Sequence, residues 1–166
     1  FGHTKGAFTS ADRARKGQLL REALSSTDGR LVRETLNVVE VRPFATGTDG
    51  RSVRWAYVSA SDVLYWEGAV APRTVRTTFV YDDHGNLGEQ DDWGEVVAGD
   101  PAAGGDERIQ HTEWIVDASR WLMLPARQWI EDASGVRRSE TRTYYDGAAF
   151  VGLALGQATA GLVTRI

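Results

Sequence analysis

Three histidines and many carboxylates are the side chains of this sequence that could act as acids, bases or metal ligands. His3, His84 and His111 lie far apart, and none has the neighbouring histidine typical of metal or acid–base sites. Cysteine is absent, which excludes a disulfide framework, a thiolate zinc site and a cysteine nucleophile. The serine-nucleophile elbow and the glycine-rich phosphate loops are also absent. We therefore predict polar or solvated histidines, and no metal or cofactor.

The carboxylates include three adjacent pairs, Asp82-Asp83, Asp91-Asp92 and Glu131-Asp132. A glycosidase needs two carboxylates that face each other across a cleft. A calcium loop needs alternating oxygen ligands closed by a glutamate, and the run 82–86 lacks that twelve-residue pattern. We interpret Asp82 as a turn-capping residue and predict that the protein is not an enzyme. An enzymatic alternative rests only on the abundance of carboxylates.

Tryptophan and arginine suggest two other roles. The six tryptophans could form a platform that stacks on sugar rings, with Trp114, Trp121 and Trp129 as candidates. A compact β-sandwich that binds carbohydrate is therefore the alternative function. Trp55, in contrast, alternates into an apolar face and is predicted to pack in the core. The arginines are interleaved with glutamate and threonine, which favours cross-strand ion pairs over a binding patch.

The overall composition narrows the class of protein. The chain has 166 residues, 42% hydrophobic and 25% charged, as in an ordinary folded domain. The net charge of −4 argues against nucleic acid as a partner. No apolar run approaches the roughly 18 residues of a membrane helix, so we expect no membrane insertion by this segment. The sequence starts at Phe1 and has no visible signal peptide, and we expect a single fragment, 1–166, of a larger polypeptide.

Alternating apolar and polar residues predict an all-β fold. The alternation is seen in 51–58, 73–82 and 136–145, and more weakly in 107–116. Valine, threonine and aromatic residues are common in these runs, which suits pleated, half-buried strands. We therefore expect antiparallel β-hairpins arranged as a meander.

Turn residues separate the predicted strands. Asp82–Gly85 and Asp132–Gly135 share the form Asp-x-x-Gly, in which the aspartate accepts backbone N–H groups and the glycine supplies a positive φ. The glycine-rich stretch 94–106 predicts a long exposed loop and a possible subdivision of the chain. Residues 10–24 fit either helix or strand, and 147–161 fit either a loop or a short helix.

The segment 77–87, TTFVYDDHGNL, resembles one unit of the tyrosine-aspartate (YD) repeat of Rhs proteins and of the B components of bacterial insecticidal (Tc) toxin complexes. The match is carried by Tyr81, Asp82, Gly85 and Asn86. A second part of the resemblance is centred on Tyr145 and Asp146. Further stretches follow the order that the family uses just before its main repeat array: 16–22, 112–114, 120–127, 140–147, 152–153 and 161–165.

This resemblance implies a role as well as a fold. In the family, YD strands wind into a hollow, cocoon-like shell that encloses a toxic polypeptide. The resemblance therefore implies that this chain is a non-enzymatic structural segment. Its implied partners are the rest of the shell, the enclosed toxin and other toxin-complex subunits. It also implies bacterial secretion as part of the larger complex. Only one complete Tyr-Asp-x-x-Gly unit is present, because Asp146 is followed directly by Gly147.

Overall fold

The computed structural model describes residues 10–166, so His3 lies outside the described residues. This described part of the chain has one short helix and ten strands. They are α1 (Ser10–Ala14), β1 (Arg21–Ser25), β2 (Leu31–Thr46), β3 (Ser52–Tyr65), β4 (Arg73–Tyr81), β5 (Leu87–Glu95), β6 (Arg108–Asp117), β7 (Leu122–Asp132), β8 (Arg137–Arg142), β9 (Tyr144–Tyr145) and β10 (Val163–Arg165). The window 10–24 thus contains α1 and the first part of β1, whereas 147–161 has no helix.

The chain divides into two compact units, one extending to Thr74 and the other spanning Val75–Ile166. In the first unit, β1, β2 and β3 are antiparallel neighbours in chain order. In the second, β4 to β8 form an antiparallel meander, again in chain order, and β9 pairs with β10 separately. The all-β fold of antiparallel hairpins is confirmed. Loop 94–106, where we expected a possible subdivision, lies inside the second unit.

The longest hairpin joins β2 to β3 and tolerates a proline within a strand. Pro43 lies opposite Arg54, and the register shifts between Pro43 and Ala45. Proline cannot donate to a strand ladder and is therefore found at edges and bulges. The sequence accommodates it by placing a bulge at that point.

One turn geometry recurs in four hairpins. In each, the N–H of the first residue donates to the carbonyl of the fifth, and the N–H of the fourth donates to the carbonyl of the first. The fourth residue is always glycine with a positive φ, which a three-residue hairpin loop with a bulge requires. The four turns span 26–30, 47–51, 82–86 and 132–136.

Few side chains are buried. Val39, Ala56, Ala126 and Tyr145 are the buried apolar residues among those described, and no side chain there is completely enclosed. The prediction that Trp55 packs in a core is wrong. Its ring is half-buried, stacks on Tyr57 at 4.7 Å and lies beneath the Arg42 guanidinium. Stacking between two rings of β3, covered by Arg42 from β2, takes the place of a core on that face, and Ala56 on the opposite face is the buried residue.

Candidate functional site

Asp82 closes the hairpin between β4 and β5. One carboxylate oxygen accepts the backbone N–H groups of His84 at 2.8 Å and Asn86 at 2.9 Å. The other accepts the Asn86 side-chain amide at 2.9 Å. Burial raises the pKa of Asp82, but these hydrogen bonds outweigh it and hold the pKa below its usual value. Gly85 has a φ of 88°, so Asp82, Gly85 and Asn86 form one closed corner.

Asp132 occupies the same position in the hairpin between β7 and β8. Its carboxylate accepts the backbone N–H groups of Ser134 and Val136, both at 3.0 Å, and the Ser134 hydroxyl at 2.7 Å. Arg138 pairs with its second oxygen. The Ser134 hydroxyl and the Val136 N–H are the main reasons that the pKa of Asp132 lies far below its usual value. The shared sequence form thus gives a shared hydrogen-bond pattern.

In the other two hairpins the aspartate lies two positions later in the turn. Asp28 and Asp49 lie third in their turns, and each accepts the N–H of the fifth residue, at 3.5 Å for Arg30 and 3.0 Å for Arg51. Each of the four turns therefore has one aspartate that accepts a backbone N–H across the corner.

Asp146 does not close a hairpin of this kind. Its carboxylate accepts four consecutive backbone N–H groups, those of residues 159–162, at 2.6 to 3.1 Å. The N–H groups of Thr159 and Ala160 contribute most to a pKa far below the usual range. Asp146 also donates its own N–H to the Leu162 carbonyl at 2.7 Å, and its carbonyl accepts the Thr164 hydroxyl at 2.7 Å. Residues 146–162, here called the Asp146 loop, are thus closed through one side chain.

Glycines make the Asp146 loop sterically possible. Gly147 and Gly152 have φ values of 71° and 75°. A Cβ at Gly147 would lie 2.9 Å from the carbonyl carbon of Gly152, and one at Gly152 would lie 2.7 Å from the Cβ of Tyr144. At the base of the loop, the Arg165 guanidinium lies 3.7 Å from the Tyr144 ring centre. The stretch 144–165 is therefore one local structure.

The two tyrosines of the YD resemblance differ in their surroundings. Tyr145 is 3% exposed and donates its hydroxyl to the Pro125 carbonyl at 3.0 Å. Tyr81 is half-buried. Burial raises the pKa of both phenols. Each tyrosine directly precedes its aspartate, and the aspartate organises the turn or loop that follows.

A charged layer covers one face of β7 and β8. Glu140 accepts from Arg127 at 2.9 and 3.1 Å and pairs also with Arg137 and Arg142. Arg127 is the main reason that the pKa of Glu140 is lowered to about 2. Arg127 also reaches Glu113 on β6, at 3.6 Å. The cross-strand ion pairs expected from the sequence are present here.

His111 and Trp129 continue this layer across the sheet. In register, Glu89, His111, Trp129 and Glu140 lie opposite one another on β5 to β8. The His111 ring stacks on Trp129 at 4.6 Å, and its Nδ1 is 3.2 Å from Glu89. The guanidinium groups of Arg127 and Arg137 lie 5.0 and 4.9 Å from the Trp129 ring centre. The Trp129 ring is thus occupied by protein groups, which weakens its candidacy as a sugar platform.

The remaining candidate groups are used in local bonding. Asp91 and Asp92 accept the hydroxyls of Thr78 and Thr77, each at 3.1 Å. Trp121 is 84% exposed and has a φ of 57°, in a turn where Asp117 accepts backbone N–H groups. Within residues 10–166, no group of three or more acidic or histidine side chains could hold a metal ion. The arrangement organises turns and pairs strands.

Sequence reasoning missed the link from Asp146 to residues 159–162 and the stacking of His111 on Trp129. The closely spaced glycines after Asp146 were the available signal for the loop, but they do not identify its partner groups. The stacking depends on strand register, which alternation alone does not set.

No helix in the described part of the chain is long and apolar enough to cross a membrane. Comparison of the sequence with models of known protein families and with curated proteins finds no match. The resemblance to the Rhs and Tc proteins therefore stays a prediction.

Proposed function

We propose that this chain is a non-enzymatic wall segment of an Rhs- or Tc-type β-shell that encloses a toxic polypeptide. The observation that carries the proposal is the scarcity of buried side chains in long antiparallel hairpins. A wall built from stacked hairpins buries its apolar surface against neighbouring units, so a single segment has little core of its own.

The outer strands support this proposal. Among the described residues, β1 pairs only with β2 and β8 only with β7. All five residues of β1 are exposed, including Leu24 at 59%. An unpaired apolar strand edge is a template for pairing with another chain. In a shell, adjoining segments would cover these edges.

The closed aspartate corners suit the same role. At Asp82 and Asp132 the carboxylate bonds to backbone N–H groups of its own turn, and at Asp146 to those of its own loop. These carboxylates stabilise reversals of the chain. We assign Tyr81, Asp82, Gly85 and Asn86, together with Tyr145 and Asp146, a structural role in the proposed wall. The proposed partners are the remaining shell, its enclosed toxin and other toxin-complex subunits, in a complex secreted by bacteria.

The test is the association state of the isolated chain, measured by sedimentation velocity over a range of concentrations. We expect concentration-dependent self-association, reduced by Leu24→Lys on the exposed edge strand. Val70→Lys is the matched control, because Val70 is fully exposed outside the strands. A chain that stays monomeric at all concentrations and unfolds in one cooperative step would falsify the proposal. Imaging of the longer parent protein for a hollow particle tests the shell itself.

A further inference from the structure

Four consecutive backbone N–H groups, those of residues 159–162, converge on a single carboxylate. The N–H groups of residues 159–161 donate to one oxygen of Asp146, Oδ2, at 2.6, 3.0 and 3.1 Å. The N–H of Leu162 donates to the other oxygen, Oδ1, at 3.0 Å. Gly161 has a φ of 83°, and a left-handed residue in such a run lets successive N–H groups surround an anion. Residues 159–162 are here called the amide nest.

The backbone of the amide nest is also held by contacts that do not involve the Asp146 carboxylate. The carbonyl of its first residue accepts from Nη1 of Arg120 at 3.3 Å. The carbonyl of its last residue accepts the backbone N–H of Asp146 at 2.7 Å, and β10, which pairs with β9, begins directly afterwards. A Cβ at Gly161 would lie 3.0 Å from the side chain of Leu124 on β7. We therefore expect the nest to keep its form when the carboxylate is removed.

The amide nest lies at the protein surface. Thr159, Ala160 and Leu162 are exposed, and Asp146 itself is only half-buried. Removal of the Asp146 side chain would therefore open the four N–H groups to solvent. In the wild type, Asp146 is attached to the same loop, and a tethered group acts at a high effective concentration that a free anion must exceed.

We infer that the amide nest is a carboxylate-binding site that the chain fills with its own Asp146, and that a free carboxylate takes this place when the side chain is removed. A carboxylate fits because its two oxygens reproduce the two acceptors of Asp146, and its charge strengthens hydrogen bonds from N–H groups. Acetate has the carbon and oxygen atoms of the aspartate side chain. Chloride is a single atom and cannot occupy both oxygen positions at once.

Asp146→Gly is the test variant, because Asp146 has a φ of 52° and glycine adopts that conformation without strain. The measurement is the urea midpoint, followed by tryptophan fluorescence at one protein concentration, while sodium acetate replaces NaCl at constant ionic strength. We expect the Asp146→Gly midpoint to rise saturably, by roughly 0.2–0.7 M when acetate is at about one to ten times its dissociation constant. If this variant is unfolded in NaCl, acetate should restore its native fluorescence.

Two controls separate binding at the nest from a general effect of acetate. The wild-type midpoint should not respond, because Asp146 occupies the nest. Asp49→Gly is the matched substitution, since the Asp49 carboxylate accepts one backbone N–H, that of Arg51, in the described structure. Its midpoint should also be the same in acetate and in NaCl. An equal acetate effect in all three proteins, or neither a higher midpoint nor restored folding in Asp146→Gly, would overturn the inference. These outcomes do not depend on the shell proposal.

Discussion

Alanine substitutions at glycines of the Asp146 loop separate backbone strain from steric contact. Gly152 and Gly156 have similar positive φ values, 75° and 84°. A methyl group at Gly156 would meet nothing within 4 Å, whereas one at Gly152 would lie 2.7 Å from the Cβ of Tyr144. That Cβ is fixed to the backbone and cannot rotate away. Gly156→Ala is therefore a matched control for Gly152→Ala.

The expected magnitudes follow from these contacts. An alanine in the left-handed region costs about 1–2 kcal/mol, which applies to both variants. Forcing a methyl group into a filled space adds about 1–3 kcal/mol, and this applies only to Gly152→Ala. We expect the free energy of unfolding to fall by about 1–2 kcal/mol for Gly156→Ala and about 2–5 kcal/mol for Gly152→Ala.

The assay is urea unfolding followed by tryptophan fluorescence at one fixed protein concentration. With a urea dependence of about 2 kcal/mol per molar, the two midpoints should differ by roughly 0.5 M or more. Limited proteolysis within 147–161 reports local opening if the loop detaches before the sheet unfolds. Equal midpoints and equal cleavage rates for the two variants would refute the close packing of Gly152 against Tyr144.

Three further substitutions test other parts of the structure. Trp121→Gly should raise the free energy of unfolding by up to about 1 kcal/mol, because it removes the backbone strain of a left-handed residue whose side chain is exposed. A lower urea midpoint would instead mean that the indole makes a stabilising contact. Asp82→Ala should lower the free energy by about 1–2 kcal/mol through loss of the corner hydrogen bonds, whereas Asp83→Ala, at the exposed neighbour, should lower it less. Asp146→Ala should lower the free energy of unfolding most at pH 7, and by progressively less below about pH 4. The reason is that a carboxylate with a lowered pKa contributes stability that is lost as it becomes protonated. A urea midpoint that differs from that of the wild type by the same amount at pH 7, 5 and 3 would contradict this.

The hairpins and their corners could be predicted from short stretches of sequence. Alternation defines a strand within a few residues, and Asp-x-x-Gly contains both the acceptor and the positive φ that a reversal needs. The turns at Asp82 and Asp132 therefore follow from local chemistry. The burial of Trp55 could not be predicted in this way, because alternation gives the face of a residue but not what covers that face.

The sequence by itself determined the all-β class, the hairpin turns and the lack of cysteine chemistry, because each depends on residue type or on neighbours within about five positions. The tertiary structure alone decided three other features. It brought the N–H groups of residues 159–162 to Asp146, stacked His111 on Trp129, and enclosed one carboxylate oxygen of Glu107, Oε2, without a hydrogen-bond donor. Each of these joins or encloses groups that are separate in the chain, so each depends on register and loop closure, which the order of residues does not specify locally.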